Sequence, residues 1–252
     1  MYDLQKASMW KRISAALCDF IALGIVIVGF ALLLSAVLGY DGQAAALEDI
    51  SEKYEAEYKV DFDIPESDYQ ELTDAEKGQY KLAMDAFSQD ADANYVYSML
   101  VNLTFVIITF SILIAFVLLE FLLPLLFGNG QTLGKKVFGV AVMREDSVKL
   151  TPLLLFTRAI LGKYTVETMI PVLIILMIYW DMIGFLGTVL VLGLLIAQLV
   201  LLATSAERRV LHDRLSHTVT VDYASQMIFD SPEAKLAYKQ RIHAEQLEAE
   251  KE

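Results

Sequence analysis

Apolar positions gather into four long runs separated by polar connections. The first, Ile13 to Leu38, has twenty-six residues, and only Asp19 among them carries a formal charge. A hydrocarbon core about 30 Å thick needs roughly 20 apolar residues as helix, so this run predicts a membrane span. Val96 to Phe127 predicts a second span and carries Glu120. Pro152 to Trp180 predicts a third, with Arg158, Lys163 and Glu167 in its first half. Ile183 to Thr204 predicts a fourth, with no charge in twenty-two residues. The expected fold is all-α, a polytopic four-helix transmembrane bundle.

The connections differ in character. After the turn-like cluster Gly39-Tyr40-Asp41-Gly42, residues 43–96 alternate apolar and charged positions at helical spacing, as at Leu47, Ile50, Tyr54 and Tyr58. Pro65 interrupts the pattern, and Leu72, Tyr80, Leu82, Met84 and Phe87 predict a second soluble helix. Thr73 followed by Glu76 has the spacing of a capping box. Gly128 to Leu150 predicts a glycine-rich loop and a small hairpin: Val137 to Val142, a turn at Arg144–Ser147, then Val148 to Leu150. At the end, Ser231-Pro232 predicts the start of a charged helix. The chain thus divides into a lead-in and first span (1–38), an acidic insertion (39–95), a second span (96–127), a glycine-rich connection (128–151), a third and fourth span (152–204), a basic motif with an aspartate (205–222) and a charged C-terminal helix (223–252).

Charge refines this picture. The net charge of −12 arises in the insertion, where residues 41–96 hold sixteen of the 32 acids and four of the 20 Lys and Arg. The rest of the chain is balanced. The acidity therefore offers nothing to nucleic acid and argues against binding an anionic surface through the insertion. Lys6, Lys11 and Arg12 flank the first span; Lys135, Lys136, Arg144 and Lys149 fill the second connection; Arg208, Arg209 and Arg214 follow the fourth span. Four spans bring all of these to one side, so both termini and the hairpin are expected in the cytoplasm and the insertion outside it. No cleavable signal peptide is expected, because the first apolar run is too long.

Catalytic and cofactor chemistry finds little support. Cys18 is the only cysteine and lies inside the first span, where it reads as a packing residue. Gly130 to Lys136 is no phosphate-binding loop, since Asn129 stands where the first glycine is needed and Lys136 where Ser or Thr is needed. His212 and His217, five residues apart without a third ligand, read as interfacial polar residues rather than a metal site. No Ser-His-Asp or Cys-His arrangement is suggested. Neither enzyme activity nor a cofactor is expected.

Several residues together resemble the RDD (Arg-Asp-Asp) family of integral membrane proteins. They are Arg12 and Asp19 in the first span, Gly130-Gln131-Thr132-Leu133-Gly134-Lys135 after the second, Arg158 opening the third, and Asp213 to Val219, with Thr218, after the last. The resemblance spans roughly residues 8–222 without the insertion. One departure is His217, where the family pattern has glycine. The resemblance implies a multi-pass cell-membrane protein of bacteria or archaea, with transport the usual suggestion.

The charges inside the spans point to chemistry of their own. Asp19, Glu120 and Lys163 fall about 10–12 Å from the cytoplasmic ends at 1.5 Å per residue, with Arg158 shallower and Glu167 deeper. Glu120 lies four residues before Pro124, and Glu167 four before Pro171, so each proline is expected to free the carbonyl beside a carboxyl group. Carboxylates and freed carbonyls at membrane depth are what cation sites of transporters use. Three acids against two bases leave one negative charge for a proton or a monovalent cation. The residues expected to form this site are Asp19, Glu120, Glu167, Arg158 and Lys163, with Asp19 taking Lys163 and Glu120 exchanging the proton. Asp213 is expected to clasp the tail to the Gly130–Gly134 loop, among Lys135, Lys136, Arg208, Arg209 and Arg214. The function expected is proton-coupled exchange of a monovalent cation or small solute by a homo-oligomer in the lipid bilayer. The alternative is a scaffold or accessory subunit, in which paired charges merely hold four helices in register and the insertion and C-terminal helix recruit partners.

Overall fold

A computed structural model describes residues 5–204 and 209–249. Among the described residues, four helices are long and apolar enough to cross a membrane: Met9–Leu38, Ala91–Phe127, Pro152–Tyr179 and Gly184–Leu201. The fold is all-α and polytopic, as the apolar runs predict. The outward apolar side chains, among them Phe20, Leu126, Phe185 and Leu199, would be untenable in water and call for a bilayer.

The chain divides into two compact units, residues 28–111 and residues 1–27 with 112–252. The first unit holds the insertion. Gly39, in the left-handed conformation at φ 70°, ends α1 (Met9–Leu38) and lets α2 (Tyr40–Tyr58) begin at once. α3 (Glu66–Glu71) starts after Pro65, and α4 (Asp74–Gln89) opens with the expected capping box between Thr73 and Glu76. An aromatic cluster joins these helices. The Phe87 ring lies 5.8 Å from Tyr54 and 5.6 Å from Phe62, and Tyr80 lies 5.1 Å from Tyr69. Leu82 and Met84, read as apolar positions of the second soluble helix, are exposed instead. Asp90 accepts from the backbone N–H groups of Asp92 and Ala93 and from the Tyr54 hydroxyl, and so caps α5 (Ala91–Phe116).

In the second unit, α5 gives way to a π-helical turn, π1 (Val117–Leu122), and then to α6 (Leu123–Phe127). The third span has the same character on a larger scale: α8 (Pro152–Phe156), π2 (Thr157–Met169) and α9 (Ile170–Tyr179). α10 (Gly184–Thr204) packs on α9. Between the spans lie α7 (Leu133–Val137) and β1 (Val140–Arg144); after them come α11 (Leu211–Leu215), β2 (Thr218–Asp222) and α12 (Pro232–Ala249).

The expected pairing within the hairpin does not form. β1 does not pair with Val148–Leu150 but lies antiparallel to β2, with Val142 opposite Thr220. The turn itself forms, since the N–H of Ser147 donates to the carbonyl of Arg144. Ala141, Met143, Val219 and Val221 are almost wholly buried and make a small core with Ile228. Four valines, one alanine, one methionine and two threonines suit an enclosed strand pair better than a half-solvated hairpin. The N–H of Asp222 donates to the carbonyl of Gln5, and that of Lys149 to Phe229. Lead-in, second connection and tail therefore meet in one polar end of the unit.

Candidate functional site

A cavity of about 450 Å³ lies within the second unit, between α1 on one side and π1, π2 and α11 on the other. Nine ionisable residues line it: Arg12, Asp19, Glu120, Lys135, Arg158, Lys163, Glu167, His212 and Asp213. All five residues expected to form an ion site are among them. Their pairings, however, differ from expectation.

Asp19 does not meet Lys163. Its carboxylate accepts from the Thr132 hydroxyl and from the Gly134 N–H at 2.7 Å, so it caps the start of α7. Thr132 is also the N-cap of that helix. Gly134 is needed because a Cβ there would sit 2.1 Å from the Ala15 carbonyl oxygen. The loop thus owes its glycine to backbone contact with α1. Gly130, at φ 60°, turns the chain, and the Gln131 amide donates to the Val140 carbonyl at 2.8 Å. The clasp of this loop is Asp19, not Asp213. An Asp19→Asn variant loses a charge-assisted pair of hydrogen bonds and is expected to be less stable by about 1.5–3 kcal/mol. A thermal unfolding scan in detergent checks this; an unchanged midpoint would contradict the capping role.

Glu120 pairs with Lys163 at 2.6 Å. The winding explains how these charges come to share a wall. In an ideal α-helix residues five apart point to different faces, whereas the i→i+5 bonding of a π-helix brings them close to alignment. Arg158 and Lys163 are five apart inside π2, and Glu167 follows four later. The Thr165 hydroxyl donates to the carbonyl of Ile160, five residues back, in keeping with that winding.

Asp213 is 1% exposed. It holds Arg158 at 2.8 Å, and Arg12 stands 3.8 Å away. Burial pushes its carboxyl up, but Arg158 and Arg12 outweigh that and keep it below the usual range. Arg158 also donates to the Thr218 hydroxyl at 3.2 Å. The expected collar of cations does not converge on Asp213. Lys136 and Arg214 are exposed, Lys136 over the Phe127 ring, and Arg209 pairs with Glu145. Arg208 lies outside the described residues.

His212 was read as an interfacial polar residue and is instead buried. Its backbone N–H and Nδ1 both meet the Glu167 carboxylate, at 2.9 and 2.7 Å. Gly162 makes room, since a Cβ there would lie 2.6 Å from His212 Cβ. Desolvation holds the imidazole well below its ordinary range despite the pull of Asp213, so it is neutral near pH 7. Lys135 was expected only in the collar, yet it lines the cavity. Its ammonium donates to the Thr132 hydroxyl at 3.2 Å. Desolvation first, and the charge of Lys163 second, pull its pKa down to about 7 against the attraction of Glu120.

The census changes the charge balance. Arg12, Lys135 and Asp213 join the expected five, giving four cations against four carboxylates with His212 neutral. The single excess negative charge expected from sequence is therefore absent when Lys135 is protonated, and appears when it is not. Glu120 and Glu167 lie in or next to π-helical turns before Pro124 and Pro171, so the α-helical rule used to place freed carbonyls beside them does not transfer. His217, at φ 49°, adopts the left-handed backbone that glycine usually fills, so the turn survives the departure from the pattern. Such a residue costs roughly 1–2 kcal/mol relative to glycine.

The model of the RDD family matches residues 6–217. No curated protein and no solved structure matched the chain.

Proposed function

The chain belongs to the RDD family, and from that premise we propose that it is a small transporter of the cell membrane, without enzymatic activity. It couples protons to the movement of a monovalent cation or small solute. The supporting observation is the cavity, which nine ionisable residues line, six of them on membrane-spanning helices. A balanced set of charges is sensitive to any added charge. A cation is admitted when Lys135 releases its proton, and an anion when a carboxyl gains one. Glu120 and Lys163 stand at the centre of this exchange, paired at 2.6 Å. The scaffold reading draws on the same pairs, since each buried carboxylate has a partner.

Proteoliposomes of neutral lipid with a trapped pH dye separate the two. The transport reading expects pH change on imposing a sodium or potassium gradient, and its loss in Glu120→Gln. No pH change in the parent supports the scaffold.

Orientation belongs to the same proposal, with the Lys- and Arg-rich end of the second unit in the cytoplasm. Cysteines introduced in residues 41–96 of a Cys18→Ala protein should react with an impermeant thiol reagent in intact cells, and one introduced at Gly128 should not. The opposite labelling would reverse the orientation.

A further inference from the structure

We infer that the cavity receives a lipid-borne phosphate, its acyl chains leaving across a rim made by Ile13, Phe20 and Leu23. This adds a ligand of the same cavity and rests on the transport reading. The rim opens toward hydrocarbon. Ile13 and Phe20 line the cavity, yet they are 51% and 73% exposed. They lie seven residues apart on a membrane-spanning helix, two turns along one face. The most apolar stretch of that helix has none of its residues buried. Side chains that both line a cavity and stand open on a span form an edge toward hydrocarbon and not toward water.

The inner wall presents cations. The Lys135 ammonium contacts the neutral Thr132 hydroxyl, and among the described residues no carboxylate lies within 4.0 Å of it. Beside it stand two guanidinium groups, those of Arg158 and Arg12, 2.8 and 3.8 Å from the Asp213 carboxylate. An ammonium next to guanidinium groups is suited to phosphate oxygens. A volume of about 450 Å³ takes a glycerophosphate headgroup but not two long acyl chains, which must leave by the apolar rim. The phosphate adds negative charge to a wall already in balance, so a proton must enter with it. That requirement matches the coupling proposed above.

A free phosphate shares the headgroup chemistry, and the test distinguishes the two. The full-length protein in neutral detergent is equilibrated with radiolabelled dioctanoyl phosphatidic acid. Dioctanoylglycerol and inorganic phosphate serve as competitors. Saturable binding is expected that neither competitor displaces at equal concentration. It should weaken about tenfold in Lys135→Gln, as for loss of a hydrogen bond to a charged group. It should disappear in Ala16→Trp, which places an indole in the rim at an exposed position of α1. Binding that is absent in the parent, unchanged in both variants, or displaced by inorganic phosphate as well as by the lipid would overturn the inference. The assay involves no gradient. A parent that exchanges protons in neutral-lipid vesicles but fails to bind the lipid therefore sinks this inference alone and leaves the transport reading standing.

Discussion

Asp213→Ala is expected to remove about 3–5 kcal/mol of stability, the cost of leaving a buried ionised partner uncompensated. Arg158 would stay in the span with its guanidinium facing an empty site, keeping the Thr218 hydroxyl as a partner. Arg12, 3.8 Å from the same carboxylate, would lose this ion pair. For a membrane protein this size of loss should appear as a collapse in folded yield and a large drop in thermal midpoint in detergent. Asp213→Asn should lie between parent and alanine, because one amide oxygen still accepts from Arg158. The carboxyl is held below the ordinary aspartate range. Its stabilisation is thus fully present above about pH 4 and is lost as pH falls below that. A parent-like midpoint for Asp213→Ala would show that the tail is held by β1 and β2 alone.

Gly134→Ala is the second large effect. The added Cβ would lie 2.1 Å from the Ala15 carbonyl oxygen and 3.0 Å from the Asp19 carboxylate, both parts of α1. Backbone cannot rotate aside as a side chain can. α7 must withdraw, and the Asp19 bonds to Gly134 and Thr132 go with it. Overpacking costs of about 1–3 kcal/mol then add to the loss of a charge-assisted cap of about 1.5–3 kcal/mol. Gly24→Ala in α1 is the control, since a Cβ there meets nothing within 4 Å and helix propensity favours alanine by up to about 1 kcal/mol. Thermal scans of the two variants should move in opposite directions. Equal midpoints would mean that α1 and α7 are not locked at this contact.

Much of the architecture is legible in the chain because its causes are local. An apolar run of twenty-six residues from Ile13 can satisfy its backbone in a bilayer only as helix. Thr73 and Glu76 announce a helix start by a spacing of three, and the capping box is there. The strand pairing is not local. β1 meets β2 only after the third and fourth spans have returned the chain, and nothing in Val148–Leu150 rules out the nearer partner. Charge partners are hidden for a related reason. An α-helical reading puts Arg158 and Lys163 on different faces, and π2 brings them toward one. Reading depth alone then assigns Lys163 to Asp19, whereas π1 delivers Glu120 to it. His212 could be found only from its place beside Asp213 and opposite Gly162, both features of the folded chain.

The central claim is that the Glu120–Lys163 pair works in transport rather than as a strut, and the double variant Glu120→Gln/Lys163→Met tests it most directly. Replacing both members of a buried pair by neutral groups of similar size is often close to neutral for stability, whereas breaking it by removing one is not. Thermal midpoint and gradient-driven pH change are measured on the same preparation. The account predicts a midpoint near that of the parent together with loss of proton-coupled flux. A double variant that folds like the parent and still exchanges protons at the parent's rate would contradict it.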